Sequence, residues 1–246
     1  NGLGATQLVY ALFGVQYFYS KYSDYEDPFM TKYEENESYT IYKLKDALPI
    51  AYSIPEIFAK EVFVSKTTIA GSLDYQNDIF KKLTGIDDLY TSVDTIKYEK
   101  TKTVTAGQTG HYYMTVTGNA PEDLNLTKEN DTFTKTFSGL NKHNHIVDLG
   151  YLKEGESINI DAELEMTAEI FVMDYNKLSE GISKLNNNSI SLSNYTDTSI
   201  EGDINASGGS VLFTFAYDPG WTLYVDGVKT ETYQVMGALT GADVSD

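Results

Sequence analysis

Residues 211–228, VLFTFAYDPGWTLYVDGV, decide how this chain is built. Val211, Phe213, Phe215 and Tyr217 recur at every second position, which places them on one face of a β-strand. Pro219 presets φ near the value a turn needs and Gly220 accepts positive φ, so the chain is expected to reverse just after Tyr217. On the strand that follows, Trp221, Leu223 and Val225 share one face and Thr222 and Tyr224 the other. Asp226-Gly227 between Val225 and Val228 is a two-residue type I′ hairpin pair. This reading points Trp221, the single tryptophan, into the core, where truncation to alanine would cost roughly 3–5 kcal/mol.

Upstream, the same alternation recurs between Gly, Asn, Asp and Pro clusters. Ile158, Ile160, Ala162 and Leu164 form the inward set of a strand over Ser157–Leu164, with the turn Lys153-Glu154-Gly155-Glu156 before it. Tyr112, Met114 and Val116 belong to another strand, and Ala168, Ile170 and Val172 to a third. Further strands are expected near Ile190–Leu192 and Ser199–Ile204. Asp174 caps a helix whose Leu178, Ile182 and Leu185 form one apolar stripe, and Asn186-Asn187-Asn188 ends it. Regularly spaced short strands of this kind read as a β-sandwich.

The first ninety residues read as a mixed lobe. Val15, Tyr17 and Tyr19 suggest a strand, Asp24–Ser38 a loop, Ile41–Lys45 a strand ending toward Leu48-Pro49, and Glu61–Ile69 a strand. Ile54-Pro55-Glu56 breaks regularity. Asn77-Asp78 is expected to cap a helix carrying Ile79, Phe80 and Leu83, stopped by Gly85. The fold class is mainly β with some α, an α+β chain. A mixed α/β lobe over 1–90 is followed by antiparallel β-sandwich structure over 91–246, with one packed helix near 174–185.

Composition narrows function by exclusion. The 36 acidic residues against 18 basic ones give a net charge of −18, which repels nucleic-acid phosphates. Every basic residue is lysine, so bidentate guanidinium forks for phosphate are missing. The chain has no cysteine, which removes disulfides, thiolate catalysis and cysteine-ligated zinc. It also holds no membrane-length apolar run. Its nearest approach, Leu3–Tyr19, contains Gln7 and Gln16, lacks a preceding basic residue, and reads as a buried strand or helix.

Few residues invite chemistry. His143 and His145, two apart, could offer two nitrogens from one strand face, with His111 as a third ligand across a sheet. Nothing nearby supplies the rest of a zinc set, so packing or surface roles are expected. Acidic groups at Asp24-Tyr25-Glu26-Asp27, Asp87-Asp88 and Glu129-Asn130-Asp131 lack the spacing of a calcium-binding loop and read as solvated loops. Asp218 and Asp226 flank Trp221 like a hydrolytic carboxylate pair, but turn chemistry already accounts for both. Tyr25, Tyr33, Tyr39, Tyr195 and Tyr224 are candidate sugar-stacking platforms, against the simpler reading of half-buried strand tyrosines.

Four segments carry a family resemblance. Tyr217–Gly227 (YDPGWTLYVDG), Leu48-Pro49-Ile50-Ala51-Tyr52, Gln76–Phe80 with Leu83-Thr84-Gly85, and the Leu149-Gly150 and Gly155-Glu156 pairs of an Ile146–Ile160 hairpin stand in one order. Together they resemble the extracytoplasmic part of the YfhO family, multi-pass bacterial membrane proteins related to GT-C glycosyltransferases. The resemblance implies structural roles for Tyr217, Asp218, Gly220, Trp221, Asp226 and Gly227, with no catalytic, cofactor-binding or metal-binding residue here. It implies a piece cut from between membrane helices, with a further strand expected beyond Asp246. It also implies a location on the outer face of the membrane, the chain's own transmembrane domain as partner, and a glycopolymer such as teichoic acid as possible acceptor. The rival readings are a carbohydrate-binding or adhesive surface module and a fragment of a glycoside hydrolase.

Overall fold

A computed structural model describes residues 6–20, 27–60, 72–129, 134–141, 146–207 and 209–244. The chain enters through helix α1 (Gln7–Leu12) and strands β1 (Tyr17–Ser20), β2 (Met30–Glu35), β3 (Thr40–Leu44) and β4 (Ala51–Pro55), followed by helices α2 (Glu56–Ala59) and α3 (Ser72–Thr84). Next come β5 (Tyr90–Thr105), β6 (Gly110–Gly118), β7 (Asp123–Lys128), β8 (Thr134–Ser138), β9 (Ile146–Leu152) and β10 (Ser157–Met173). Helix α4 (Tyr175–Asn186) leads to β11 (Ser191–Tyr195), β12 (Ile200–Asp203), β13 (Gly209–Ala216), β14 (Leu223–Val225), β15 (Val228–Thr230), β16 (Thr232–Val235) and β17 (Leu239–Asp243). Strand outweighs helix, about 53% to 16%, which bears out the mainly β, α+β class.

The largest sheet is antiparallel, in the order β8-β7-β10-β6-β9, with β5 on the other edge of β10. The two strands expected at Ser157–Leu164 and Ala168–Val172 are one strand of 17 residues. No Gly or Pro separates them. Instead β10 shifts register against β5, from Asp161↔Thr101 to Met166↔Glu99, and Tyr98 takes a left-handed φ of 56° there. Past the shift β10 changes neighbour, from β7 at Ile158–Ala162 to β6 at Thr167–Met173. Both halves contribute to one core, with Ile158, Ile160 and Ala162 meeting Ile170, Val172, Met114 and Leu124.

The far end of this sheet is a wall between two cores. Ile170 and Val172 face the core just described, while Phe171 and Met173 join a second cluster with Leu8, Tyr52, Phe80, Leu178, Ile182 and Leu212. Tyr112 and Tyr113 divide in the same way. A strand covered on both faces needs a continuous apolar run, which explains Ile-Phe-Val-Met at 170–173. Helices α3 and α4 pack on each other against the wall. At their crossing Gly181 lies so close to Phe80 that an added Cβ would stand 2.4 Å from its ring.

A second sheet, β16-β17-β13-β4, joins the two ends of the described chain. Strand β4, nearly all buried, was not expected from the sequence, where Pro49 and Pro55 suggested irregularity. Pro55 stands at its last position, where a missing donor costs least. Tyr52 from this strand is fully buried and donates to Leu12 O at 3.0 Å, and burial pushes its phenol well above the usual range. The third sheet, β1-β3-β2, and the ribbons β11-β12 and β14-β15 complete the described structure.

Several expectations need correction. Residues 30–35 of the expected loop form β2, an edge strand whose outward Lys32, Glu34 and Glu35 keep it from pairing further. Helix α3 starts at Ser72, so Asn77 is no cap. Its side chain instead bonds both Tyr90 N and Tyr90 O, tying the helix to β5. Ile146–Ile160 is not a paired hairpin, because β9 pairs with β6 and β10 lies on the far side of β6. The strand expected at Glu61–Ile69 lies outside the described residues. The α4 cap at Asp174, whose carboxylate accepts from Lys177 N at 3.2 Å, is as expected.

Candidate functional site

The motif segment forms two tight turns at the surface. Asp218 Oδ1 accepts from Gly220 N at 2.7 Å and Asp218 O accepts from Trp221 N at 3.1 Å, closing the first. Gly220 does not take the positive φ expected of it. A Cβ there would stand 3.0 Å from the Asp218 carboxylate, so close approach is what requires glycine. Asp226 and Gly227 both have positive φ, 49° and 79°, and join β14 to β15 in the type I′ geometry that the Asp-Gly pair predicts.

Trp221 does not point into the core. The strand begins only at Leu223, and Trp221 sits in the turn, 37% exposed, with its ring 5.0 Å from Phe215, which in turn lies 5.3 Å from Phe213. Tyr224 and Val228 of the following hairpin are 62% and 67% exposed. The motif therefore presents an apolar surface. Tyr217 is half-buried, with Tyr217 N donating to Ala238 O at 2.8 Å.

The chemistry of the interior lies elsewhere, at His111. This fully buried residue stands on the face of β6 that Tyr113 turns toward the helix-covered core, its ring stacked 4.6 Å from Tyr113. Nε2 lies 2.6 Å from Asp148 Oδ1, and Nδ1 lies 3.0 Å from Asp27 Oδ2, an ion pair without the alignment of a hydrogen bond. A neutral ring would turn a lone pair toward one of these carboxylates, so the site requires imidazolium. Burial pushes the pKa of His111 down, but Asp148 and Asp27 outweigh it and hold it up at about 9. Burial would raise Asp148, yet His111 beside it holds that carboxyl well below the usual range.

Local structure aims each partner. On β9 the register shift beside Leu149, with Gly150 at φ +90°, turns Asp148 toward His111, and Gly150 N donates to Asp148 Oδ1 at 2.8 Å. That gives the Leu149-Gly150 pair a physical reason. Asp27 accepts from Phe29 N at 2.8 Å and from Gln7 Nε2 at 2.9 Å, which ties α1 to the same cluster. Gln7 N donates to Tyr113 OH at 3.2 Å, while Gln7 Oε1 is buried without a partner among the described residues. Next to it, Thr6 and Tyr90 both donate to Gln76 Oε1. Since both nitrogens of His111 face carboxylates, the ring has no lone pair to act as a base or metal ligand.

The remaining candidates fall apart in space or lie outside the described residues. His143, His145, Tyr25, Asp24, Glu26, Asn130 and Asp131 belong to the second group. Asp87 is paired with Lys81 at 2.7 Å on the surface. Tyr33 and Tyr39 do meet other rings. Tyr17 and Tyr33 approach edge-on at 5.1 Å and the tilted rings of Tyr19 and Tyr39 lie 5.2 Å apart, so tyrosines of β1, β2 and the β2–β3 turn close over the outer face of β3. Tyr17, Tyr19 and Tyr33 are 46%, 55% and 61% exposed. The period-two pattern of β1 placed Tyr17 and Tyr19 together, but only the sheet brings Tyr33 across.

Comparison with known proteins gives one positive finding. The profile of the family described as bacterial membrane protein YfhO matches residues 1–246, the whole chain. No curated protein and no solved structure is similar enough to count as a match. No helix among the described residues is long and apolar enough to cross a membrane. The chain belongs to the YfhO family of bacterial membrane proteins.

Proposed function

We propose that this chain is an extracytoplasmic, non-catalytic portion of a multi-pass YfhO-type membrane protein, and that it assists glycosyl transfer to a cell-surface polymer such as teichoic acid. The observation that carries the reading is the tyrosine face of β1-β3-β2, where Tyr17, Tyr19, Tyr33 and Tyr39 pair their rings in the open. Exposed aromatic groups of this density mark an interaction surface. Tyrosine offers an apolar ring for the C–H face of a sugar and a hydroxyl for its oxygens. The edge strand β2 is guarded by charge, which leaves the face as the route of contact. The transfer itself is assigned to the membrane-embedded part, so the face would hold the acceptor.

The test is Tyr17→Ala with Tyr33→Ala in the full-length parent protein, followed by measurement of sugar on the cell-surface polymer. Glycosylation should fall at least tenfold while the protein still accumulates in the membrane. Unchanged glycosylation would refute the reading. Sugar binding by the isolated chain with glycosylation intact would instead support a separate carbohydrate-binding or adhesive role.

A further inference from the structure

The geometry points to a proton-operated latch: protonated His111 ties Asp27, and through it α1, to Asp148 on the six-stranded sheet, and loss of that proton releases the Asp27 side. Three separate pieces of chain meet at one ring. Asp148 is anchored in β9 by Gly150 N, whereas Asp27 stands outside any strand or helix, just ahead of β2. When the ring loses its proton, one nitrogen lone pair faces a carboxylate, and the attraction on that side becomes repulsion. The side that yields is the one held by loop contacts. Gln7, the α1 residue that donates to Asp27, has its own Oε1 buried without a partner among the described residues.

Among the described residues, few groups face the cluster. From α1 come Gln7 and Tyr10, whose phenol burial and Asp148 raise. From β6 comes Tyr113, from β8 Lys135, which favours the charged form of Asp148, and from α4 Tyr175, whose hydroxyl donates to Asp46 at 3.2 Å. Burial and Asp46 push Tyr175 up to about 12, and Tyr10 also lies above its ordinary range, so His111 loses its proton first as pH rises. A raised folded pKa means that the stabilisation is complete below the ordinary histidine value near 6.5 and fades as pH climbs through about 9. At the acid end the depressed Asp148 works in reverse: its share is complete above the ordinary value of 3.8 and is lost as pH falls below that. The latch is therefore fully closed from about pH 4 to 6.5 and opens toward alkali.

Proton–nitrogen NMR of the whole chain from pH 6 to 10 tests this directly. The His111 ring is expected to titrate near pH 9, with the amide signals of Phe29 and Gly150, which report on Asp27 and Asp148, moving on the same curve. Asp27→Asn should weaken proton binding by His111 at least tenfold. His111→Gln should remove the shared curve and flatten the fall of Tm between pH 6.5 and 9.5. A His111 that titrates near 6.5, or a Phe29 amide that stays still while the ring titrates, would overturn the proposal. If His111→Gln does not fold, the wild-type and Asp27→Asn curves decide alone.

Discussion

The core inside the six-stranded sheet draws all its buried members from residues 96–172, whereas the core beneath the helices gathers residues from Leu8 to Leu239. The first kind is filled by strands close together in sequence and holds aliphatic groups with a single buried tyrosine, Tyr112. The second kind brings both ends of the chain together through β4, β13 and β17 and takes in the charged cluster at His111. The two share a wall, so their difference concerns chain connectivity more than chemistry. A core made of neighbours can form early, because closing short loops costs little entropy, while one joined across the whole chain must wait for both ends.

The largest expected effects test whether the two cores are separate units. Phe80 is fully buried where α3 meets Gly181, and Phe80→Ala should cost roughly 3–5 kcal/mol. Ile160→Ala in the other core should cost roughly 2–5 kcal/mol. Hydrogen exchange then separates them. The first substitution should release amides of β4 and β13 before those of β7, and the second should do the opposite. If both variants lose protection evenly across all strands, the wall fuses the cores into one cooperative unit and the contrast is lost.

The same contrast governs what the sequence made legible. Period-two alternation revealed the first half of β10, which has one wet and one dry face, whereas in β6 and the far half of β10 it picked out only the set facing the sheet's own core, since both are buried on two faces. The α4 stripe with its Asp174 cap, and the Asp226-Gly227 turn, were equally local signals. Strand β4 was not legible, since its burial comes from β13, whose residues stand more than 150 positions away. The sequence offers His111 only as a third metal ligand across a sheet, for a related reason. Its partners Asp27 and Asp148 are 84 and 37 positions distant, and only a bulge at Leu149-Gly150 turns the second toward it. The tyrosine face was half visible, as the alternation in β1.

Trp221 ranks next, and it is where sequence pattern misled. The period-two set Trp221, Leu223 and Val225 points the ring inward, but it counts a residue of the turn as strand, and the strand begins only at Leu223. With 37% of its surface exposed and Phe215 as its ring partner, Trp221→Ala should cost about 1–2 kcal/mol, well below the figure for a buried ring. Urea denaturation of the variant checks the value. The single tryptophan also gives a spectroscopic check: its emission in the native protein should lie at the long wavelengths of a partly wet indole. A loss of 3 kcal/mol or more would mean that the hairpin is part of the helix-covered core after all.

The smallest effect tests that boundary from the other side. Gly227 holds φ at +79°, and a Cβ placed on it meets nothing within 4 Å, so Gly227→Ala carries backbone strain and no steric clash. The cost is about 1 kcal/mol, that of forcing a side-chain-bearing residue into the left-handed region. Among the described residues, strands β14 and β15 pair only with each other, so this strain should stay in the hairpin. Amides at the β14–β15 turn should exchange faster while those of β13 and β17 are unchanged. Should the substitution loosen β13 as well, the turn would be coupled to the sheet joining the two chain ends, and the motif would count as part of the closure of the helix-covered core.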